Sequence, residues 1–152
     1  MPEALVAVVG SLLGVVIGGL ITYWYTRRTQ VSKALHDSRI AAFARFAAAV
    51  MEYRRALMER WFIEHGGRAT EVDAQGIYQT RSVAWAALFE VQLLAGDASI
   101  GRLARTAVDA TSEIKNAPDR PELSSLADAS RVAVEAVVNA ARDDIAAGFK
   151  VI

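Results

Sequence analysis

Hydrophobic and polar positions divide the chain into two regimes. From Ala4 to Thr26 the sequence reads ALVAVVGSLLGVVIGGLITYWYT, without a single charge. Beyond Thr26, apolar residues recur at three- and four-residue intervals among charged ones, the stripe of a helix with one face turned to a core. The first segment predicts a membrane-spanning helix: 23 residues at 1.5 Å each make roughly 34 Å, enough for a hydrocarbon core of about 30 Å. Between Gly19 and Gly66 there is neither Gly nor Pro, so the helix is expected to continue past the interface. Its apolar positions there are Phe43, Phe46, Val50, Tyr53, Leu57 and Trp61. His65-Gly66-Gly67 ends it, with glycine expected to supply a left-handed turn.

The pattern predicts three more helices. Thr70 with Asp73 resembles a capping box, and the helix after it places Ile77, Arg81, Trp85, Leu88 and Gln92 near one face. Tyr78, Phe89, Val91, Leu93 and Leu94 add apolar mass, and Gly96 closes it. Asp97 or Ser99 caps a third helix with Ile100, Leu103, Ala107, Thr111 and Ile114 on its stripe. Asn116-Ala117-Pro118 ends that helix, and Asp119 with Glu122 caps a fourth, with Pro121 in its first turn. Leu123, Leu126, Ala133, Val137, Ala141 and Ile145 mark its apolar face, and Gly148 its end. No segment alternates with period two, so strands are not expected. The expected fold is all-α: one N-terminal transmembrane helix continuing into a cytoplasmic, antiparallel up-down-up-down four-helix bundle. The expected divisions are residues 1–3 outside, 4–26 spanning, 27–42 a basic stalk and 43–152 the bundle.

Charge gives the orientation. Glu3 precedes the apolar segment, while Arg27, Arg28 and Lys33 follow it, which places the C-terminal side in the cytoplasm by the positive-inside rule. Tyr23, Trp24 and Tyr25 form an aromatic belt at the same interface. Gly10, Gly14 and Gly18, continued by Thr22, occupy one helix face and leave a shallow groove for helix–helix packing. The expected location is therefore the cell membrane of a bacterium, with the lipid bilayer, a second copy and a protein as partners. All 17 Lys and Arg and 16 of the 17 acidic residues lie after Thr26. That near-neutral balance offers no field for gathering nucleic acid, which is not expected as a partner.

Candidate chemistry is sparse. The chain has no cysteine, which removes disulfides, zinc-thiolate sites and thiol catalysis. His36 and His65 read as solvated, the latter favoured at a helix C-terminus by the dipole. Asp143 and Asp144 are adjacent and point about 100° apart on a helix, so they do not converge on a metal. Arg81 and Glu90 lie near an apolar stripe and read as snorkelling from its rim. Neither a catalytic triad nor a phosphate-cradling glycine loop is present; no cofactor, metal or enzymatic activity is expected. The expected function is a non-enzymatic, membrane-anchored interaction or scaffold module. The alternative is an oligomeric pore or membrane-disrupting effector assembled through the glycine row.

Overall fold

The computed structural model describes the backbone of residues 2–66 and 74–149, and the side chains of residues 33–66 and 75–147. Four α-helices and one short 3-10 turn make up those residues: α1 (Pro2–His65), α2 (Ala74–Leu94), α3 (Ala98–Ser112), the turn Glu113–Asn116 and α4 (Arg120–Phe149). The architecture is all-α, with no strand among the described residues. Residues 1–37 and 38–152 form separate compact units. The second contains α2, α3, α4 and the part of α1 from Ser38 onward.

The core of this second unit forms where the apolar periodicity of its helices converges. On α1 the buried positions run Ala42, Phe43, Phe46, Ala49, Val50, Tyr53, Leu57 and Trp61. The bulky members match the spacing that the sequence predicts. α3 buries Ile100, Ala104, Ala107, Val108 and Thr111, and the turn after it buries Ile114. α4 buries Leu123, Ala127, Val134, Val137 and Ala141, while the expected Leu126, Ala133 and Ile145 pack partly buried against them. Each large side chain withdrawn from water contributes about 1.5–3 kcal/mol.

The helix ends have local causes. The Asp97 carboxylate accepts the Ser99 backbone N–H at 2.8 Å, which caps α3 as expected. The Asp119 carboxylate accepts the Glu122 N–H at 2.9 Å and caps α4. At the end of α1, Gly66 donates its N–H to the Phe62 carbonyl at 2.9 Å. Gly67, the other glycine of the expected turn, lies outside the described residues, and the φ of Gly66 lies outside the left-handed region. Glycine is required there because a Cβ would lie 2.4 Å from the Phe62 carbonyl oxygen. α4 runs through Gly148 to Phe149 rather than stopping at the glycine.

The membrane location requires correction. Among the described residues no helix is long and apolar enough to cross a membrane. A span needs about 20 consecutive apolar residues. Even α2, with 21 residues, carries Arg81, Glu90 and three glutamines. The single-pass location with a cytoplasmic C-terminal domain is overturned on that finding. The expected anchor at residues 4–26 lies in the part of α1 whose side chains fall outside the described residues.

Candidate functional site

α2 is apolar nearly all round, so its sequence permits more than one buried face. The structure buries Ala84, Ala87, Leu88 and Val91, an i, i+3, i+4, i+7 set. Three of these four are small or β-branched, and they let the neighbouring helices approach closely. Gly101 of α3 lies so near that a Cβ on it would sit 3.2 Å from the Gln92 Cγ. The expected face of α2 is therefore rotated: Arg81 and Gln92 are exposed, Ile77 and Trp85 half-buried, and only Leu88 lies in the core.

That rotation turns bulky side chains outward. Tyr78 is 67% exposed, Val83 52%, Phe89 54% and Leu93 85%. The largest patch of a typical monomer is about 300–600 Å² and often functional, whereas single exposed apolar residues need no explanation. Here the spacing of Tyr78, Ser82, Ala86, Phe89 and Leu93 places all five on one face, opposite the buried one. None of them is charged. At the edge of this strip Trp85 packs against Phe89 with centroids 5.9 Å apart, and the Arg105 guanidinium of α3 lies 4.5 Å above the Trp85 ring.

Polar contacts hold the helices in this register. Arg45 of α1 forms a two-point ion pair with Glu90 of α2, its Nε donating to Oε2 at 3.1 Å. The hydrogen bond from Arg45 holds the Glu90 carboxyl below its usual range. Glu90 thus sits at the rim as expected and has a specific partner. Arg54 donates from Nε to the Ala127 carbonyl of α4 at 3.0 Å. Trp61, buried near the end of α1, donates its indole N–H to the Ala117 carbonyl at 2.8 Å. The His65 ring stacks on Trp61 at 4.2 Å, with Nδ1 3.0 Å from the Trp61 carbonyl.

Two other polar groupings lie inside the unit. Thr111 of α3 and Ser130 of α4 are fully buried, their hydroxyls 2.7 Å apart. Arg39 of α1 and Asp144 of α4 both approach Gly96, where a Cβ would lie 3.3 Å from an Arg39 Nη and 3.0 Å from Asp144 Oδ1. The Arg39 Nε and the Asp144 Oδ2 are buried without hydrogen-bond partners. Asp143 is exposed, but Asp144 is half-buried and not part of a solvated pair. No group of three metal-ligating side chains occurs among the described residues. A groove of about 960 Å³ runs along the outer side of α1, where Met51, Met58 and Phe62 alternate with Glu52, Arg55 and Glu59.

Of the expected site residues, only Lys33 has a described side chain, and it is exposed. Gly10, Gly14, Gly18, Thr22, Tyr23, Trp24, Tyr25, Arg27 and Arg28 lie outside the residues whose side chains are described. Tyr78, Phe89 and Leu93 are legible in the sequence only as apolar mass. The signal that separates them from the core is the alanine-containing series at 84, 87, 88 and 91.

Comparison with known proteins gives the wider setting. No solved structure matches the chain. Protein KilB of Streptomyces lividans is 31% identical over 144 residues, which cover 93% of this chain and 96% of that protein. The KilB plasmid transfer protein family matches residues 40–145, nearly the whole of the second unit. The chain belongs to the KilB plasmid transfer protein family.

Proposed function

We propose that this protein serves plasmid transfer as a non-enzymatic helical module that docks a protein through the outer face of α2. The transfer role is supported by the family description, which covers the helical unit from α1 to α4. The docking role rests on one observation: α2 buries two alanines, Ala84 and Ala87, beside Leu88 and Val91, while Tyr78, Phe89 and Leu93 face solvent. A helix selected only to fill its own bundle would bury the bulky side chains, each for about 1.5–3 kcal/mol. Leaving them in water is unfavourable unless something covers them. The helices are read as an antiparallel up-down-up-down bundle, supported by short connections: residues 95–97 between α2 and α3, and residues 113–119, the 3-10 turn included, between α3 and α4.

The test is complementation of transfer. A plasmid with this coding sequence inactivated is supplied in trans with wild-type or substituted protein, and transfer frequency is compared at matched protein levels. Phe89→Ser with Leu93→Ser is expected to lower transfer at least tenfold. His65→Ala and Glu135→Gln, which alter exposed polar groups on α1 and α4, should leave it within twofold. Undiminished transfer by the α2 pair, with loss in either polar variant, would reverse the reading.

A further inference from the structure

The outer face of α2 has a shape and charge that fit one partner in particular. We propose that two copies of this chain pair through α2, antiparallel, crossing at Ala86; this rests on the docking role of that face and names its occupant. Along the strip the order is Tyr78, Ser82, Ala86, Phe89, Leu93, large at both ends and small in the middle. Two helices that cross at an angle touch at one point and diverge on either side. Small side chains suit the crossing point, and bulky ones fill the widening space beyond it. Run antiparallel about Ala86, the strip sets Phe89 against Ser82 and Tyr78 against Leu93 of the other copy. Each end of the contact then joins an aromatic group of one copy to a smaller group of the other.

Charge agrees with self-pairing. In a two-fold contact every patch meets its own copy, so any net charge on it would face the same charge. No strip residue is charged, and the whole chain has a formal net charge of zero. The flanking Glu90 is already neutralised within its own copy by Arg45, and Arg105 is turned onto Trp85.

The available area limits the strength. A fully exposed aromatic side chain offers roughly 150–250 Å². With Tyr78 67%, Phe89 54% and Leu93 85% exposed, and Ser82 and Ala86 exposed between them, each copy presents roughly 450–500 Å². A pair therefore removes at most about 1,000 Å² from water, the lower edge of specific interfaces. The dimer should be reversible, forming at micromolar concentrations rather than nanomolar ones.

The cysteine-free chain allows a direct test. In the full-length protein, Ala86→Cys should yield a disulfide-linked dimer on mild oxidation, because the two Cβ atoms meet at the crossing point. Val132→Cys, exposed on the outer side of α4, should yield at least tenfold less. Sedimentation at tens of micromolar should show wild-type dimer, and Phe89→Glu with Leu93→Glu should raise the dissociation constant at least tenfold. Unchanged helical circular dichroism would show that these surface changes leave the fold intact. A monomer at that concentration, or equal crosslinking at 86 and 132, would overturn the pairing. If such a monomer still lost transfer on Phe89→Ser with Leu93→Ser, a different protein would be the occupant and the docking role would stand. If those substitutions changed neither mass nor transfer, both readings would fall together.

Discussion

Thr111 and Ser130 show how a single hydroxyl proton decides a buried contact. The Thr111 hydroxyl donates to the Ala107 carbonyl at 2.7 Å, so its one proton is committed. Ser130 must then donate to Thr111. Removing the two groups should therefore have unequal effects. Thr111→Val strands the Ser130 hydroxyl in a fully buried site and should cost about 1–3 kcal/mol. Ser130→Ala leaves Thr111 with a partner and should cost less. The double variant should be less destabilised than the two single effects combined, as residues in contact are not additive. Denaturant melts of the four proteins measure this, and strict additivity would show that the hydroxyls do not act as a pair. Spacing alone places Thr111 on the α3 stripe, but nothing in the sequence points to Ser130. Nineteen residues separate the two, and which of α4's many small polar residues faces α3 depends on the helix's rotation.

At the scale of elements, the caps are the most legible features. Asp97 and Asp119 cap the helices that the sequence assigns to them, because an Asx side chain can satisfy backbone donors two or three residues on, using local geometry only. Asp97 also accepts the Ser99 hydroxyl at 2.6 Å. Chiefly that side-chain bond, and then the Ser99 backbone N–H, hold the pKa of its carboxyl below the ordinary value. A carboxyl whose folded pKa is depressed contributes stability above its unfolded value and loses it as pH falls through the folded one. Thermal melts from about pH 6 down to about pH 2.5 should show wild type above Asp97→Asn at the upper end, the gap closing with acid. A gap independent of pH would mean that the charge contributes nothing to the cap. The rotation of α2, by contrast, departs from the expected one. With apolar residues on every side, periodicity alone allows both Trp85 with Leu88 and Ala84 with Val91 to face inward, and the helix takes the set that permits the closest approach.

Across the whole helical unit, contacts distant in sequence join its elements. Trp61 on α1 reaches the carbonyl of Ala117, 56 residues away, just before α4 begins. Trp61→Phe should keep most of the apolar packing and lose this bond, leaving a nearly buried carbonyl without its donor. A loss of about 1–3 kcal/mol is expected, measured by chemical denaturation. An unchanged midpoint would show that water replaces the indole.

The sequence by itself determined the all-α class, the helix boundaries near the caps and the core faces of α1 and α3. These depend on interactions within a few residues or on a strong single stripe, and both repeat with the helix's own period. Tertiary structure alone decided which face of α2 is buried, the pairing of Arg45 with Glu90 and of Thr111 with Ser130, and the approach of Arg39 and of Asp144 to Gly96. Each depends on the rotation and separation of whole helices. Those are set by the sum of all the packing contacts, so no local stretch of sequence contains them.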